Sequence, residues 1–564
     1  MVTGTERGES VDLLIVGSGV GAVVAALIAR DRGLMPLIVE KSDKVGGTSA
    51  LSGGVLWIPA NPLMARDGVA DSRERARQYL DAAVWHRGPA ASAPRRDAFL
   101  RAGPEAVSYL ESKGMKFLRP KFWPDYHSDL PGAEQTSRSI MAELFDLNAL
   151  GEWKQHFAAI ERAPLRFHVD EAFGMSLIKR TWRARFLAAR FALRVALHKL
   201  AGRDVRGAGA ALQGRLLRIA LDNDIPIWRN TAVESFLTDG GKVTGVLACH
   251  EGKAIRILSR RGVLLNSGGF ARNPQMREHY GRKPVYSQFS AAPETDTGEM
   301  IRAAMSLGAA VDCMDEGLWG LSSLSAQGEF PGGRLPAGSG SPVGHHFDIS
   351  LPHCIVVDQH GERFVNEAAS YMEVGQKLYE RHTKTGKGIP AWAIIESRHR
   401  DRYPWGMTLG RTPKAWLESG YMKKAASIDE LARACGIDES GLRRTLERFN
   451  RFCDTGIDDD YKRGGKAFDN CHGDPGVKPN PNLGAIEKPP FYAVAIYPGD
   501  VSTWGGLVCD EHARVLDTSG QPIEGLYATG TATASVCGRT YPGAGASLGP
   551  AMVFGYIAAR HVVG

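Results

Sequence analysis

The string Gly17-Ser18-Gly19-Val20-Gly21-Ala22 carries residue types and a spacing that suit one task, holding a pyrophosphate. Gly17 permits a tight turn and Gly19 lets the backbone approach the phosphates. Ala22 stands where a third small residue allows close helix–strand packing. The N-terminus of the helix that follows would offer unpaired N–H groups and the positive end of its dipole to the anion. Glu40 is an acid able to accept hydrogen bonds from ribose hydroxyls.

That chemistry needs elements to position it. Residues 11–16 (VDLLIV) form a short apolar run expected to be a buried parallel strand. Residues 22–32 are alanine-rich and helix-prone, and 35–39 read as a second strand that Glu40 closes. Glycine-rich turns occur in many α/β proteins, but here strand, helix, strand and acid arrive in order. KSDKVGGTSALSGG follows at 41–54. In it Lys41, Gly47, Thr48, Ser49, Ser52, Gly53 and Gly54 suit a loop that wraps a pyrophosphate and reaches an isoalloxazine. FAD is therefore expected rather than NAD.

With 564 residues the chain is too long for one hydrophobic core. Its net charge of +7 is modest, and no nucleic-acid motif accompanies it. None of the eight cysteines forms a CxxC pair, which argues against a metal site or a disulfide framework. Reduced thiols in a cytoplasmic setting are expected. The first ten residues contain no apolar signal region, and no apolar run is long enough to span a bilayer.

The fold class expected is α/β: a Rossmann-like FAD-binding domain with an inserted α+β catalytic domain. Residues 207–233 read as helix then strand, 243–250 and 254–258 as a hairpin, and 262–269 as a buried strand ending in glycines. From about Phe330 glycines, prolines and aromatics increase, followed by helical stretches near 364–382 and 427–454. Residues 505–527 return to short strands and 546–560 to an apolar helix. The division is 1–331 with 503–564 for the nucleotide domain and 332–502 for the catalytic domain.

Four strings resemble the 3-ketosteroid dehydrogenases, within the wider fumarate reductase-like flavoproteins. They are GSGVGA at 17–22, EKSDKVGGTSALSGGVLWIP at 40–59, RFVNEAASY at 363–371 and GRTYPGAGASLGPAMVFGY at 538–556. The resemblance runs over most of the chain apart from 150–206. It implies noncovalent FAD, a 3-ketosteroid substrate and an electron acceptor such as a quinone. It implies that Tyr541 and the Gly545 N–H donate hydrogen bonds to the C3 carbonyl. Tyr371 would remove the C2 proton, and Tyr126 would hydrogen-bond Tyr371. A neighbouring hydroxyl and the helix starting near Ser547 are expected to favour the Tyr371 phenolate. The expected cofactor contacts are completed by Val233, Ser267, Gly268, Gly530, Ala546, Ser547 and Leu548.

A Δ4-(5α)-dehydrogenase is the nearest alternative, and Tyr497 could serve its different tyrosine arrangement. A fumarate reductase-like enzyme and a membrane-associated flavin or steroid binder without turnover are the others. Residues 174–203 carry eight Lys and Arg and no acid, interleaved with apolar residues. Trp182, Phe186, Ala189, Leu193 and Leu200 fall on one helical stripe, while Leu187 and Phe191 fall off it. This suits an anionic membrane surface, with a solvated helix or a subunit contact as alternatives. The location expected is cytoplasmic, with a peripheral position at the inner face of the cytoplasmic membrane as the alternative.

Overall fold

The structure, a computed structural model, describes residues 6–85, 87–161, 164–324, 343–406 and 408–564. Its larger sheet has eight strands. Glu6–Val16 lies inside it, parallel to Pro36–Val39 on one side and to Lys253–Leu265 on the other. Pro522–Ala528 and Ile227–Trp228 continue the parallel set outward. The expected hairpin is Lys242–His250 with Lys253–Leu265, and the latter runs on through the strand expected at 262–269 as one element.

Strand Glu6–Val16 is flanked by its sequence neighbour on one side and a distant strand on the other. The crevice above its carboxyl end is therefore a switch point, the usual ligand position in such sheets. Helix Val20–Asp31 starts there, and its first ten residues are all buried. It needs two covered faces, and the C-terminal helix Leu548–Val563 covers the second. Their crossing is close. A Cβ on Gly21 would stand 2.5 Å from the Ala551 carbonyl, and one on Gly555 would strike the Gly21 backbone.

The second sheet has six strands in the path Val343–Gly344, Gly317–Ser323, Phe491–Thr503, Ala391–Glu396, Cys354–Val357, with Met422–Ala425 also on Phe491–Thr503. Its pairings are antiparallel. The division drawn at 331/332 lies outside the described residues. Strand Gly317–Ser323, on its N-terminal side, nevertheless pairs within the second sheet.

Two helical expectations shift. The helix near 364–382 is Tyr371–Thr385, because residues 363–370 are held in extended turns by a buried ionic network. The stretch 427–454 is two helices, Ile428–Cys435 and Glu439–Thr455, parted by Gly436 and capped afresh by Asp438.

The basic segment forms helices Val169–Ser176 and Trp182–Leu200. On the second, Leu187 and Phe191 turn inward, Phe191 against Phe167 at 5.9 Å. Arg194 reaches Glu171 at 2.6 Å, and Arg180 on the preceding turn reaches Asp474 at 2.6 Å. These groups tether the segment, so the two arginines are not free for lipid. The outward face carries the whole predicted stripe, with Trp182 80% and Leu200 86% exposed. No helix among the described residues is long and apolar enough to cross a membrane.

Candidate active site

A cavity of about 580 Å³ opens between the two sheets, above the carboxyl end of Glu6–Val16. Gly17, Gly19, Glu40, Lys41, Gly47, Thr48, Ser49, Ser52, Gly53 and Gly54 line it. So do Val233, Ser267, Gly268, Gly530, Ser547 and Leu548. Gly17 holds a φ of 96°, and any side chain there would collide with the Asn266 backbone.

Three residues of the expected set are not in this wall. Val20, Gly21 and Ala546 lie behind this wall. The Val20 N–H donates to Ser49 Oγ at 3.2 Å, Gly21 is spent on the helix crossing, and Ala546 is buried in the turn before the last helix. Gly21 is the small residue at the crossing with the last helix, and Ala22 is fully buried with its N–H donating to Asn266 Oδ1.

Glu40 is oriented by the Ser18 hydroxyl at 2.6 Å and the Ser42 N–H at 3.1 Å. Burial pushes its carboxyl up, while those two donors hold it down. Lys41 is bound to Thr297 and Glu299, at 2.7 and 3.0 Å, and so closes the rim. The sequence reading missed Asn266, Asp296, Glu299, Met300 and the 499–502 strand end, all in the wall. Burial pushes Asp296 up to about 6. The string TDTG at 295–298, small and hydroxyl residues before a helix, was the available signal. A glycine-lined groove, a helix start and an oriented acid fit the diphosphate and ribose of FAD.

At the other end of the cavity three tyrosines converge. Ring centroids are 5.8 Å apart for Tyr126 and Tyr371, 5.6 Å for Tyr126 and Tyr541, and 5.1 Å for Tyr371 and Tyr541. The Tyr371 hydroxyl is close enough to both other hydroxyls, and the Gly545 N–H to the Tyr541 hydroxyl, for each to bear on the other's ionisation. Tyr541 also approaches Ser547 Oγ at 3.4 Å.

Each tyrosine is fixed from outside the cavity. The string RFVNEAASY proves to be a framework. Arg363 pairs with Glu367 and Asp458 at 2.7 and 2.9 Å, and Arg463 reaches Glu367 at 3.0 Å. Burial alone would raise the Glu367 pKa, but the two guanidiniums hold it below the usual carboxylate range. Tyr371 follows as the first residue of its helix. Gln376, one turn on, donates to the Arg539 carbonyl at 2.9 Å and ties that helix to the Tyr541 loop. Beside Tyr126, Asp125 is clamped by Arg138 at 2.7 Å and by the Trp57 indole at 2.8 Å. The Tyr126 N–H and the Tyr79 hydroxyl both donate to the Pro542 carbonyl. Ser139 Oγ donates to the Ala544 carbonyl at 2.6 Å and so fixes the peptide that carries the Gly545 N–H, while the Trp57 N–H holds the next peptide at the Gly545 carbonyl, 3.1 Å away.

The electrostatics differ from expectation. Burial pushes Tyr371 well above the ordinary phenol value, and the neighbouring tyrosines add to the rise. Burial likewise raises Tyr126 and Tyr541. The hydroxyl neighbours therefore do not by themselves favour a phenolate. What opposes burial is position: Tyr371 sits at the N-terminus of its own helix, where a dipole favours negative charge. Tyr497 is elsewhere, stacked on Phe289 at 4.5 Å and edge-on to Tyr286.

A nucleotide crevice facing a buried cluster of acid–base groups defines a flavoprotein oxidoreductase, and residues 12–548 match the FAD binding domain family. The chain belongs to the 3-oxosteroid 1-dehydrogenase family. It is 38% identical to the 3-oxosteroid 1-dehydrogenase of Mycobacterium tuberculosis, across 98% of both chains. It also resembles the 3-ketosteroid Δ1-dehydrogenase of Sterolibacterium denitrificans, solved in complex with 1,4-androstadiene-3,17-dione. That likeness has a TM-score of 0.90 at 38% identity and covers 98% of this chain and 99% of the other. The 3-ketosteroid Δ4-(5α)-dehydrogenase of Rhodococcus jostii shares the fold, with a TM-score of 0.65 at 22% identity over 100% and 98% of the two chains.

Proposed function

We infer that this chain is an FAD-dependent 3-ketosteroid 1-dehydrogenase. The observation that carries the reading is the tyrosine triangle with the Gly545 N–H turned toward it. A C–H beside a ketone is too weakly acidic to ionise unaided. The Tyr541 hydroxyl and the Gly545 N–H donate to the C3 carbonyl oxygen and stabilise the enolate as it forms. Such a donor contributes about 3–4 kcal/mol. Tyr371 removes the C2 proton, and the Tyr126 hydroxyl hydrogen-bonds it as it changes charge. Bound FAD supplies the acceptor for the hydride from C1. The FAD is held noncovalently, and the electrons pass on to a small acceptor of the quinone class.

The Δ4 alternative drew on Tyr497, which packs against Phe289 instead. A binder without turnover would not need donors and a base brought to one point. Anaerobic addition of a Δ4-3-ketosteroid is expected to bleach the flavin spectrum. A spectrum that only shifts on binding would favour the non-enzymatic alternative.

The outward face of Trp182–Leu200 rests on an anionic membrane surface, at the inner face of the cytoplasmic membrane. Support comes from the exposed Trp182, Phe186, Leu193, Leu197 and Leu200 beside the exposed Arg183, Arg185, Arg190 and Lys199. The preceding helix, Val169–Ser176, borders the cavity through Val169, and its Phe173 packs on Phe347 at 4.5 Å. A steroid dissolved in lipid would thus enter beside the contact. Replacing Trp182, Phe186 and Leu193 together with Ser is expected to abolish co-sedimentation with phosphatidylglycerol vesicles while leaving turnover of dissolved steroid intact. Undiminished sedimentation of that variant would remove the proposal.

A further inference from the structure

The cavity wall does not end at the tyrosines. From Tyr541 it passes through Tyr371 to His346, whose ring lies 5.2 Å from Tyr371. It continues to Phe347, 4.8 Å from His346 and 43% exposed at the rim. His346 is a polar group among aromatic rings, with Phe468 and His472 also beside it. A rigid polycycle with its ketone at Tyr541 and its neighbouring carbon at Tyr371 would lie along this wall.

The interior holds His346 in place. The preceding His345 is fully buried, with Nε2 at 2.5 Å from Ser323 Oγ and Nδ1 at 2.7 Å from Asp348 Oδ2. Its ring stacks on Trp405 at 4.2 Å, and Asp348 accepts from the Gly406 N–H at 2.7 Å. With His345 locked inward, the short helix His346–Ile349 presents His346 and Phe347 to the cavity. The Ser323, His345 and Asp348 constellation has hydrolase-like geometry, but Ser323 Oγ is already taken by the Tyr421 hydroxyl. It serves here as an anchor.

The two nitrogens of His346 differ. Nδ1 is sealed from solvent and has no hydrogen-bond partner among the described residues. The ring is half-buried and part of the cavity wall, and Nε2, which makes no hydrogen bond among the described residues, is not one of the sealed atoms. Burial lowers the ring's pKa to about 4, which makes it neutral at working pH. A proton on Nδ1 would be a sealed donor without an acceptor, so the tautomer that fits carries it on Nε2. An N–H facing an apolar cavity has a strong preference for an oxygen acceptor on whatever fills it.

We propose that His346 Nε2–H selects among substrates by donating a hydrogen bond to an oxygen on the steroid ring system other than the C3 ketone. This rests on the reading of the cavity as a ketosteroid site. The preferred substrates then carry a hydroxyl or keto group on a ring that lies along the wall beyond ring A. An analogue without it leaves the donor unpaired and is bound less well.

The test compares the holoenzyme with His346→Phe and His346→Gln. The panel is Δ4-3-ketosteroids with no further oxygen, or with a single hydroxyl or keto group on ring C or ring D. In His346→Phe, kcat/KM for at least one oxygenated steroid should fall ~10–100-fold, mostly through KM, as for loss of one buried hydrogen bond. The steroid without further oxygen should change by less than ~3-fold, since it never used the donor. His346→Gln, which keeps a side-chain donor, should recover part of the loss. Equilibrium dialysis of the corresponding products should give the same ranking without turnover. An equal fall for every steroid in His346→Phe, or no fall for any, would overturn the proposal. Failure of the underlying reading would look different: wild-type flavin would be reduced by no 3-ketosteroid at all.

Discussion

Tyr371→Phe retains a full complement of FAD, binds the dienone product and loses most of its turnover. A positioned general base contributes about 10²–10⁴ in rate, so kcat should fall by that order with KM changed little. The ring is half-buried in the triangle and touches Tyr126, Tyr541 and His346, and Phe preserves those contacts. Folding should therefore be unaffected, and the loss belongs to the hydroxyl. The pH profile adds a sign. Burial, then the neighbouring tyrosines, push the Tyr371 pKa well above 10. The active form is the deprotonated one, so wild-type kcat/KM should climb with pH through 9 without reaching a plateau. Tyr371→Phe should have lost that climb. A variant turning over within ~3-fold of wild type, set against the factor a general base supplies, would assign the base elsewhere.

Gly545→Ala is the second large effect, and it acts through the backbone. Gly545 has a φ of 93°, and a Cβ there would collide with the Val55 carbonyl and the Leu56 N–H. The Trp57 N–H holds the Gly545 carbonyl, and the peptide that carries the Gly545 N–H is pinned at its Ala544 carbonyl by Ser139 Oγ at 2.6 Å. The collision can be relieved only by turning this peptide, which swings the donating N–H off the carbonyl site. Removing one such donor costs about 10²–10³ in kcat. The strain adds roughly 1–2 kcal/mol of lost stability, the penalty for a side chain in the left-handed region. FAD content and melting temperature separate the two effects. Loss of kcat in proportion to lost FAD would mean that Gly545 matters only for folding, whereas loss in fully loaded enzyme supports a donor.

What the sequence made legible was local. Strand, turn, helix and acid follow one another within the first forty residues, so the phosphate site could be read from order alone. The wall residues Asp296, Glu299 and Ser502 arrive from distant segments with no pattern linking them to Glu40. The tyrosines are similar: spacing offers no reason for Tyr126, Tyr371 and Tyr541 to meet, and resemblance alone brought them together in the reading. The role of RFVNEAASY was legible only as a motif, because its meaning lies in pairing Glu367 with Arg463, nearly a hundred positions on in the chain.

The basic helix was legible in a less obvious way. Leu187 and Phe191 broke the apolar stripe and looked like imperfect amphipathicity. They are the contacts that fasten the helix to the body, which is why the stripe itself faces outward. Arg180 and Arg194 are spent on Asp474 and Glu171 for the same reason. One segment thus carries two apolar faces, and periodicity analysis sees them superimposed.

The most direct test of the account is the position of the new double bond. The holoenzyme is mixed anaerobically with one equivalent of a saturated 5α-3-ketosteroid or a Δ4-3-ketosteroid, flavin bleaching is followed, and the product is identified by NMR. The account predicts bleaching by both and a double bond between C1 and C2 in each product. A 4,5-double bond from the saturated steroid, with the Δ4 steroid left unreacted, would contradict it.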